Sequence, residues 1–169
     1  MHEENSPGRH DFDFLRGDWR VSNRRLIARL QGCDEWETFE AVQTNQTLPG
    51  QIGNFDDFIA GAWRPGYVGL SLRLFNPQTN LWSIYWLDNQ TGGLNRSGML
   101  LPPVVGKFHH GVGRFEGDDE IDGKPVRVRF TWSDVDTDRP RWEQAMSGDG
   151  GQQWETNWVM LFTRRDSAA

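Results

Sequence analysis

The stretch VRVRFTW at residues 126–132 alternates between apolar and polar side chains along its whole length. Successive side chains of a β-strand point to opposite faces of the sheet, so the pattern predicts a strand with one apolar face. That face comprises Val126, Val128, Phe130 and Trp132, whereas Arg127, Arg129 and Thr131 point the other way. A single strand cannot bury such a face, so further strands are needed.

Similar short segments recur along the chain, separated by turns rich in Gly, Pro, Asn and Asp. With residues 125–133, the predicted strands are 19–30, 35–47, 54–59, 67–75, 81–88, 107–116, 141–147 and 154–162. The only helical signal is a turn at 10–16, and a long irregular loop is expected at 91–105. This spacing of strands is typical of a sandwich or a barrel.

Composition agrees with a mostly β fold. The chain has nine Trp, ten Phe and 19 Gly but only seven Ala, and Ala is the best helix former whereas aromatic residues favour strands. About nine strands with one apolar face must fold over or close on themselves to bury it. Burial of the large side chains on one side places Trp142 opposite Trp158 and hence Gln144 opposite Thr156. Pairing Trp132 with Trp142 extends this sheet.

Length and charge exclude several classes of protein. With 169 residues we expect one domain at 11–165, a flexible segment at 1–10 and a disordered tail at 166–169. A net charge of -6 argues against nucleic-acid binding, whose electrostatic footprint is basic. Residues 1–10 lack the apolar core of a secretory signal, and no apolar run is long enough for a membrane span. We therefore expect a cytoplasmic protein that contacts neither membranes nor nucleic acid.

Metal and nucleophile chemistry have little support in the sequence. His109 and His110 are adjacent and would point to opposite faces of a strand, so they would not share a metal ion. The lone Cys33 follows Gly32 in a predicted turn with no histidine beside it, which favours a structural role. We expect no metal and no cofactor.

Residues near the two ends of the chain resemble a known superfamily. The segment FDFLRGDW at 12–19 resembles the start of calycin (lipocalin-like) barrels, in which a short helical turn leads into Gly-x-Trp. Segments WSIYW at 82–86 and SGDGGQQW at 147–154 resemble small bacterial lipocalin-like proteins of the DUF1579 type. The resemblance implies an all-β, antiparallel up-and-down barrel of about nine to ten strands with a short N-terminal helical turn.

The same resemblance implies how one end of the barrel is closed. In such barrels an Arg near the end of the last strand packs across the Trp of Gly-x-Trp, here Gly17 and Trp19. Arg164 and Arg165 both follow the last predicted strand. Alternation from Trp158 assigns Arg164 to the inward phase, so Arg164 is predicted to stack on the indole.

The resemblance also implies that a small, partly apolar molecule binds inside the barrel. Aromatic side chains supply apolar area, and a few amides or hydroxyls orient the ligand. The candidate ligand-binding residues are Trp86, Trp132, Trp142, Gln144, Thr156 and Trp158.

Two alternatives stay open. Charged residues on the other phase of the strands would line the cavity if the barrel were turned inside out. Glu143 would then be a general acid or base, and Arg73 and Arg129 would anchor a small anionic metabolite. The second alternative is a homo-oligomeric interaction domain without a ligand, in the simplest case a homodimer, which predicts an exposed aromatic patch.

Overall fold

A computed structural model describes residues 7–165, which form a closed barrel of ten antiparallel strands. The strands are β1 (Gly17–Leu26), β2 (Trp36–Thr47), β3 (Gly53–Ile59), β4 (Val68–Asn76), β5 (Leu81–Asp88), β6 (Val104–His109), β7 (Val112–Ile121), β8 (Lys124–Ser133), β9 (Arg141–Ser147) and β10 (Glu155–Arg164). Short 3-10 turns occur at Asp13–Leu15 and Pro49–Gln51. None of the helical segments described is long and apolar enough to cross a membrane.

Each strand pairs with the next one along the chain, and β1 pairs with β10 to close the sheet. The prediction of an all-β, up-and-down, lipocalin-like barrel with an N-terminal helical turn is therefore confirmed. Closure gives each of the ten strands a neighbour on both sides and an inner face. The apolar alternation of strands such as β8 follows from this inner face.

The tenth strand comes from a turn that the sequence analysis missed. Residues 107–116 were predicted as one strand, but the chain reverses at His110 (φ 48°) and Gly111 (φ 77°). The left-handed conformation favours glycine and ends β6 before β7 begins. This reversal also brings the rings of His109 and His110 to 4.1 Å between centroids, so the prediction that they point to opposite faces was wrong.

The register of the last hairpin differs from the predicted one. Trp132 lies opposite Trp142, as predicted. Trp142, however, lies opposite Met160 and Gln144 opposite Trp158, which is two residues from the predicted register. One residue of this difference arises at the hairpin end, where Thr156 lies opposite Ala145, and the other from a β-bulge between Thr156 and Trp158. A bulge adds one unpaired residue to a strand, which the alternation of side chains does not show.

The N-terminal turn covers one end of the barrel, which we call the floor. The buried ring of Phe12 packs against rings from β5, β6 and β7, with centroid distances of 4.9 Å to Trp82, 5.0 Å to Phe108 and 5.6 Å to Phe115. Leu15 is fully buried beside it. This aromatic layer fixes the turn across the strand ends.

Arg164 fastens the floor to the last strand. Its Cζ lies 3.7 Å from the centroid of the Trp19 ring, and Trp19 donates from Nε1 to the Leu15 carbonyl at 2.7 Å. The Arg164 guanidinium donates to the carbonyls of Arg16 and Phe14, the latter at 2.8 Å. The turn, the first strand and the last strand are thus joined around one guanidinium.

The terminal segments are described in part. Residues 1–6 and 166–169, predicted to be flexible or disordered, lie outside the described residues. Residues 7–10 contact the barrel, because the Gly8 carbonyl accepts a hydrogen bond of 2.9 Å from Trp82 Nε1 and Arg9 lies over Phe75.

Candidate functional site

A cavity of about 490 Å³ occupies the inside of the barrel above the floor. Its lining includes Arg29 from the β1–β2 connection, Leu101 from the β5–β6 loop and Glu120 near the end of β7. These segments lie at the end of the barrel opposite the N-terminal turn, so the mouth of the cavity is there. A volume of this size is within the usual range of small-molecule sites, about 300–1,000 Å³.

Four predicted tryptophans line this cavity: Trp86, Trp132, Trp142 and Trp158. The rings of Trp142 and Trp158 meet edge to face, with centroids 6.0 Å apart and an interplanar angle of 83°. Edge-to-face contacts between aromatic rings are favourable and fix ring orientation. The cavity is therefore walled by oriented, mostly apolar rings.

Trp158 is positioned by groups on β1. Its Nε1 donates to Asn23 Oδ1 at 3.0 Å, and the Arg25 guanidinium lies 5.4 Å from its ring centroid. Arg25 also lies 5.3 Å from the ring of Trp63, which stacks on Phe39 at 4.7 Å. Trp63 belongs to the β3–β4 connection rather than to a strand, so strand alternation does not predict it.

Trp86 occupies space left by a glycine. A Cβ built on Gly69 would overlap the far end of the Trp86 ring, so only glycine at this position lets the indole lie across β4. The two residues are on neighbouring strands, with Trp86 paired to Ser71. Nothing in the pattern of β4 alone indicates this contact.

The bulge in β10 changes which polar residues enter the barrel. Gln144 lines the cavity as predicted, but Thr156 is exposed and outside the lining. The bulge turns Asn157 inward, where it is fully buried and its Oδ1 accepts a hydrogen bond of 2.8 Å from Gln144 Nε2. Thr156 is thus replaced as the partner of Gln144 by Asn157.

A buried ion pair lies inside the barrel near the floor. Arg73 and Asp56 are 4% and 1% exposed, with Nη1 and Oδ2 2.6 Å apart. Arg73 Nη1 also donates to Asn54 Oδ1 at 3.1 Å. On β4, therefore, the phase containing Arg73 faces inward, while the leucines at 70, 72 and 74 are half-buried on the outside.

Asp56 could not be predicted from the sequence, because one strand alone does not show a buried charge. Its phase on β3, with Asn54 and Phe58, contains polar and apolar residues. Only the pairing of Asn54 with Arg73 in the β3–β4 register brings the opposite charges together. Burial of a charge requires such a partner.

The three residues of the anionic-substrate alternative are not brought together. Glu143 lies on the outer face, where it pairs with Arg141. Arg129 is also outside, 2.7 Å from Glu116 through Nε and 3.7 Å above the Trp154 ring. Only Arg73 reaches the interior. β8 and β9 keep their aromatic phase inward, so Glu143 and Arg129 face away from the cavity.

The outer arginines affect the acidity of Glu116. Partial burial of this carboxyl alone would raise its pKa, but hydrogen bonds and charges from Arg129 and Arg127 have a larger combined effect. The net pKa of Glu116 lies below its ordinary value. The cluster is an ion-pair network on the outside of the barrel.

Charges also surround the mouth of the cavity. Asp118, Asp119 and Glu120 line it together with Arg29. Asp118 is paired with Arg127 at 2.9 Å. Burial, followed by repulsion from Arg25, lowers the pKa of Arg29, while Asp119 acts in the opposite direction. Asp119 and Glu120 leave the mouth with a slight excess of negative charge.

Candidate metal ligands and the single cysteine were also located in the structure. Among residues 7–165, no group of three or more His, Cys, Asp or Glu side chains is arranged to hold a metal ion. Cys33 is half-buried in the β1–β2 connection, where its Sγ accepts from the backbone N–H of Glu35 at 3.4 Å. Its Sγ also donates toward the Glu35 carbonyl at 3.8 Å, so both contacts are with the same residue of this connection.

Comparisons of the chain with models of known protein families and with curated proteins found no match.

Proposed function

We propose that this protein is a lipocalin-like binding protein of the DUF1579 type that holds a small, partly apolar molecule in the barrel cavity. The observation that carries the proposal is the cavity of about 490 Å³ lined by Trp86, Trp132, Trp142 and Trp158. A core that only stabilised the fold would be close-packed, with few voids larger than a water molecule. A chain with a single cysteine also fits the reducing cytoplasm, where we propose that it acts.

Polar groups within the lining support selective binding of one ligand rather than a general affinity for apolar molecules. Gln144 lies among the tryptophans and is held by Asn157, so its amide is fixed in orientation. Fixed amides discriminate between ligands because a mismatched ligand leaves a buried polar group without a partner.

Native mass spectrometry of the protein purified without detergent from its own organism tests the proposal. We expect a small molecule to remain bound and to be identified by its mass. Trp142→Ala, which removes one cavity wall, should lose this species, whereas Trp154→Ala should keep it because Trp154 lies outside beneath Arg129. A wild-type protein that carries no molecule and is not stabilised against heat by any of a set of small aromatic compounds would refute the proposal.

A loop at the mouth supports a second proposal, that two copies of the chain associate as a homodimer. The exposed aromatic patch expected for such an interaction domain is not found, because none of the large exposed apolar side chains among residues 7–165 is aromatic. The β5–β6 loop instead carries exposed Leu and Met side chains: Leu94, Met99, Leu100 and Leu101 are 39–62% exposed. Exposed apolar clusters mark interaction surfaces more often than isolated residues do. Light scattering should then give twice the mass of the chain, and Met99→Asp should reduce it to that of a monomer. A monomeric wild-type protein excludes the dimer.

A further inference from the structure

The floor of the cavity carries buried N–H groups without partners. Three nitrogen atoms are almost fully buried and have no hydrogen-bond acceptor within residues 7–165: Arg73 Nε, Gln43 Nε2 and Trp132 Nε1. All three side chains line the cavity and are at most 4% exposed. Buried polar groups in proteins are nearly always hydrogen-bonded, so three in one cavity require an explanation.

Two of these side chains, Arg73 and Trp132, lie near the same ring of the floor. The Arg73 guanidinium is 5.4 Å from the ring centroid of Phe12, and the Trp132 ring is 6.2 Å from the same centroid. Phe12 itself is part of the N-terminal turn beneath the cavity. Arg73 and Trp132 are therefore both at the floor end of the cavity.

The chemistry of two of these groups allows only one kind of partner. An indole N–H and a guanidinium N–H donate hydrogen bonds and accept none. The Gln43 amide offers a donor as well as an acceptor, so it adapts to the same partner. The unpartnered acceptor nearby, Asn45 Oδ1, lines a separate recess of about 10 Å³ under the N-terminal turn. The cavity floor thus matches an acceptor atom on the ligand.

The charge of the floor further restricts that atom. The positive charge of Arg73 is already neutralised by Asp56 at 2.6 Å, and both are buried. An additional carboxylate would be a second negative charge beside Asp56 in a place shielded from water. An anion would also have to pass Asp119 and Glu120 at the mouth. Both features favour a neutral acceptor.

We propose that the ligand is an uncharged aromatic or similarly flat molecule whose carbonyl-type oxygen enters first and accepts hydrogen bonds from Trp132 and Arg73. Its body then lies between Trp86, Trp142 and Trp158. This inference rests on the proposed binding function and names the class of ligand for the same cavity.

Three probes with the same ring system test the inference: 2-acetylnaphthalene, 2-ethylnaphthalene and 2-naphthoate. They differ in carrying a neutral acceptor, no acceptor and an anionic acceptor. By isothermal titration calorimetry the ketone should bind at least about tenfold more tightly than either other probe. Trp132→Phe keeps an aromatic ring but removes one of the two donors, so it should reduce the preference for the ketone over the hydrocarbon. Trp142→Phe, a matched loss of ring size higher in the cavity, should retain it.

Neutralising Asp56 provides an independent variant. Asp56→Asn leaves Arg73 with an uncompensated charge, so 2-naphthoate should gain affinity relative to the ketone by about tenfold or more. Circular dichroism and a thermal melt first establish that each variant is folded. Where Trp132→Phe is unfolded, Asp56→Asn still tests the charge argument, and Arg73→Lys, which keeps the charge without Nε–H, tests the donor.

The outcomes separate the two proposals. Equal affinities for the ketone and the hydrocarbon overturn the inference and leave the proposed binding function in place. Tightest binding of 2-naphthoate to the wild-type protein also overturns it, because the floor would then accept an anion. Absence of binding by all three probes overturns the inference and argues against the proposed function as well.

Discussion

Replacing Arg164 with alanine tests how the floor of the barrel is held. The substitution removes the guanidinium above Trp19 and two hydrogen bonds to the carbonyls of Arg16 and Phe14. Trp19 is only 1% exposed, so loss of the covering guanidinium also uncovers apolar area. The contacts are specific to the arginine fork, which a lysine does not reproduce.

The expected loss of stability follows from those contacts. A cation–π contact at an exposed site contributes about 0.5–1 kcal/mol. Hydrogen bonds from a charged donor contribute about 1.5–3 kcal/mol each when buried, and we discount them to about 0.5–1 kcal/mol because Arg164 is solvent-exposed. The sum is about 2 kcal/mol. For a domain of this size, that lowers the melting temperature by about 4–8 °C.

Urea unfolding followed by tryptophan fluorescence measures the effect. Arg165→Ala is the matched control, since its described contact is a backbone hydrogen bond to Asp18, and it should cost less than about 0.5 kcal/mol. Arg164→Lys should recover little of the loss. Near-zero effects of both alanine substitutions would show that the guanidinium does not hold the turn, and our account of barrel closure would be wrong.

Three further predictions concern the outside of the barrel, the bulge and the Trp86 wall. The pKa of Glu116 is lowered in the folded state, so its contribution to stability is fully present above the ordinary pKa of 4.5 and is lost as pH falls through the lower folded-state pKa. In urea titrations from pH 7 to 3, the free energy of unfolding should therefore fall less for Glu116→Gln than for wild type, and parallel curves would contradict this. Asn157→Ala leaves the Gln144 amide unpartnered and should cost about 1–3 kcal/mol of stability in thermal denaturation. Adding Gln144→Leu should give a double variant that is less destabilised than the sum of the two single-variant losses, and strict additivity would exclude the coupling. Gly69→Ala should displace the Trp86 ring and cost about 1–3 kcal/mol, with a change in near-ultraviolet circular dichroism, and a spectrum identical to wild type would show that the ring has room to spare.

Regular alternation explains why most of the fold could be predicted from the sequence. Residues 126–132 define one apolar face, and the barrel buries that face. The opposition of Trp132 and Trp142 followed from matching apolar phases on neighbouring strands, which a buried face enforces. Turns such as that at His110 and Gly111 were harder to locate, because the flanking residues continue to look like one strand.

The polar part of the site depends on relations between strands that a single strand does not show. The bulge turns the side chain of Asn157, rather than that of Thr156, into the barrel, and the alternation of residues in β10 does not show where a bulge occurs. Arg73 and Asp56 are inside because each neutralises the other across β3 and β4. Reasoning from hydrophobic burial alone assigns such charges to the surface, which is why the cavity floor was missed.

The seam between β1 and β10 bears on how the protein is made. Every other strand pairing joins neighbours in sequence and can form as the chain is synthesised, but this one joins the two ends. The barrel therefore cannot close until the last strand has left the ribosome, and the aromatic inner face stays open to water until then. The growing chain thus exposes apolar strands, and is prone to aggregate, until the final seam forms.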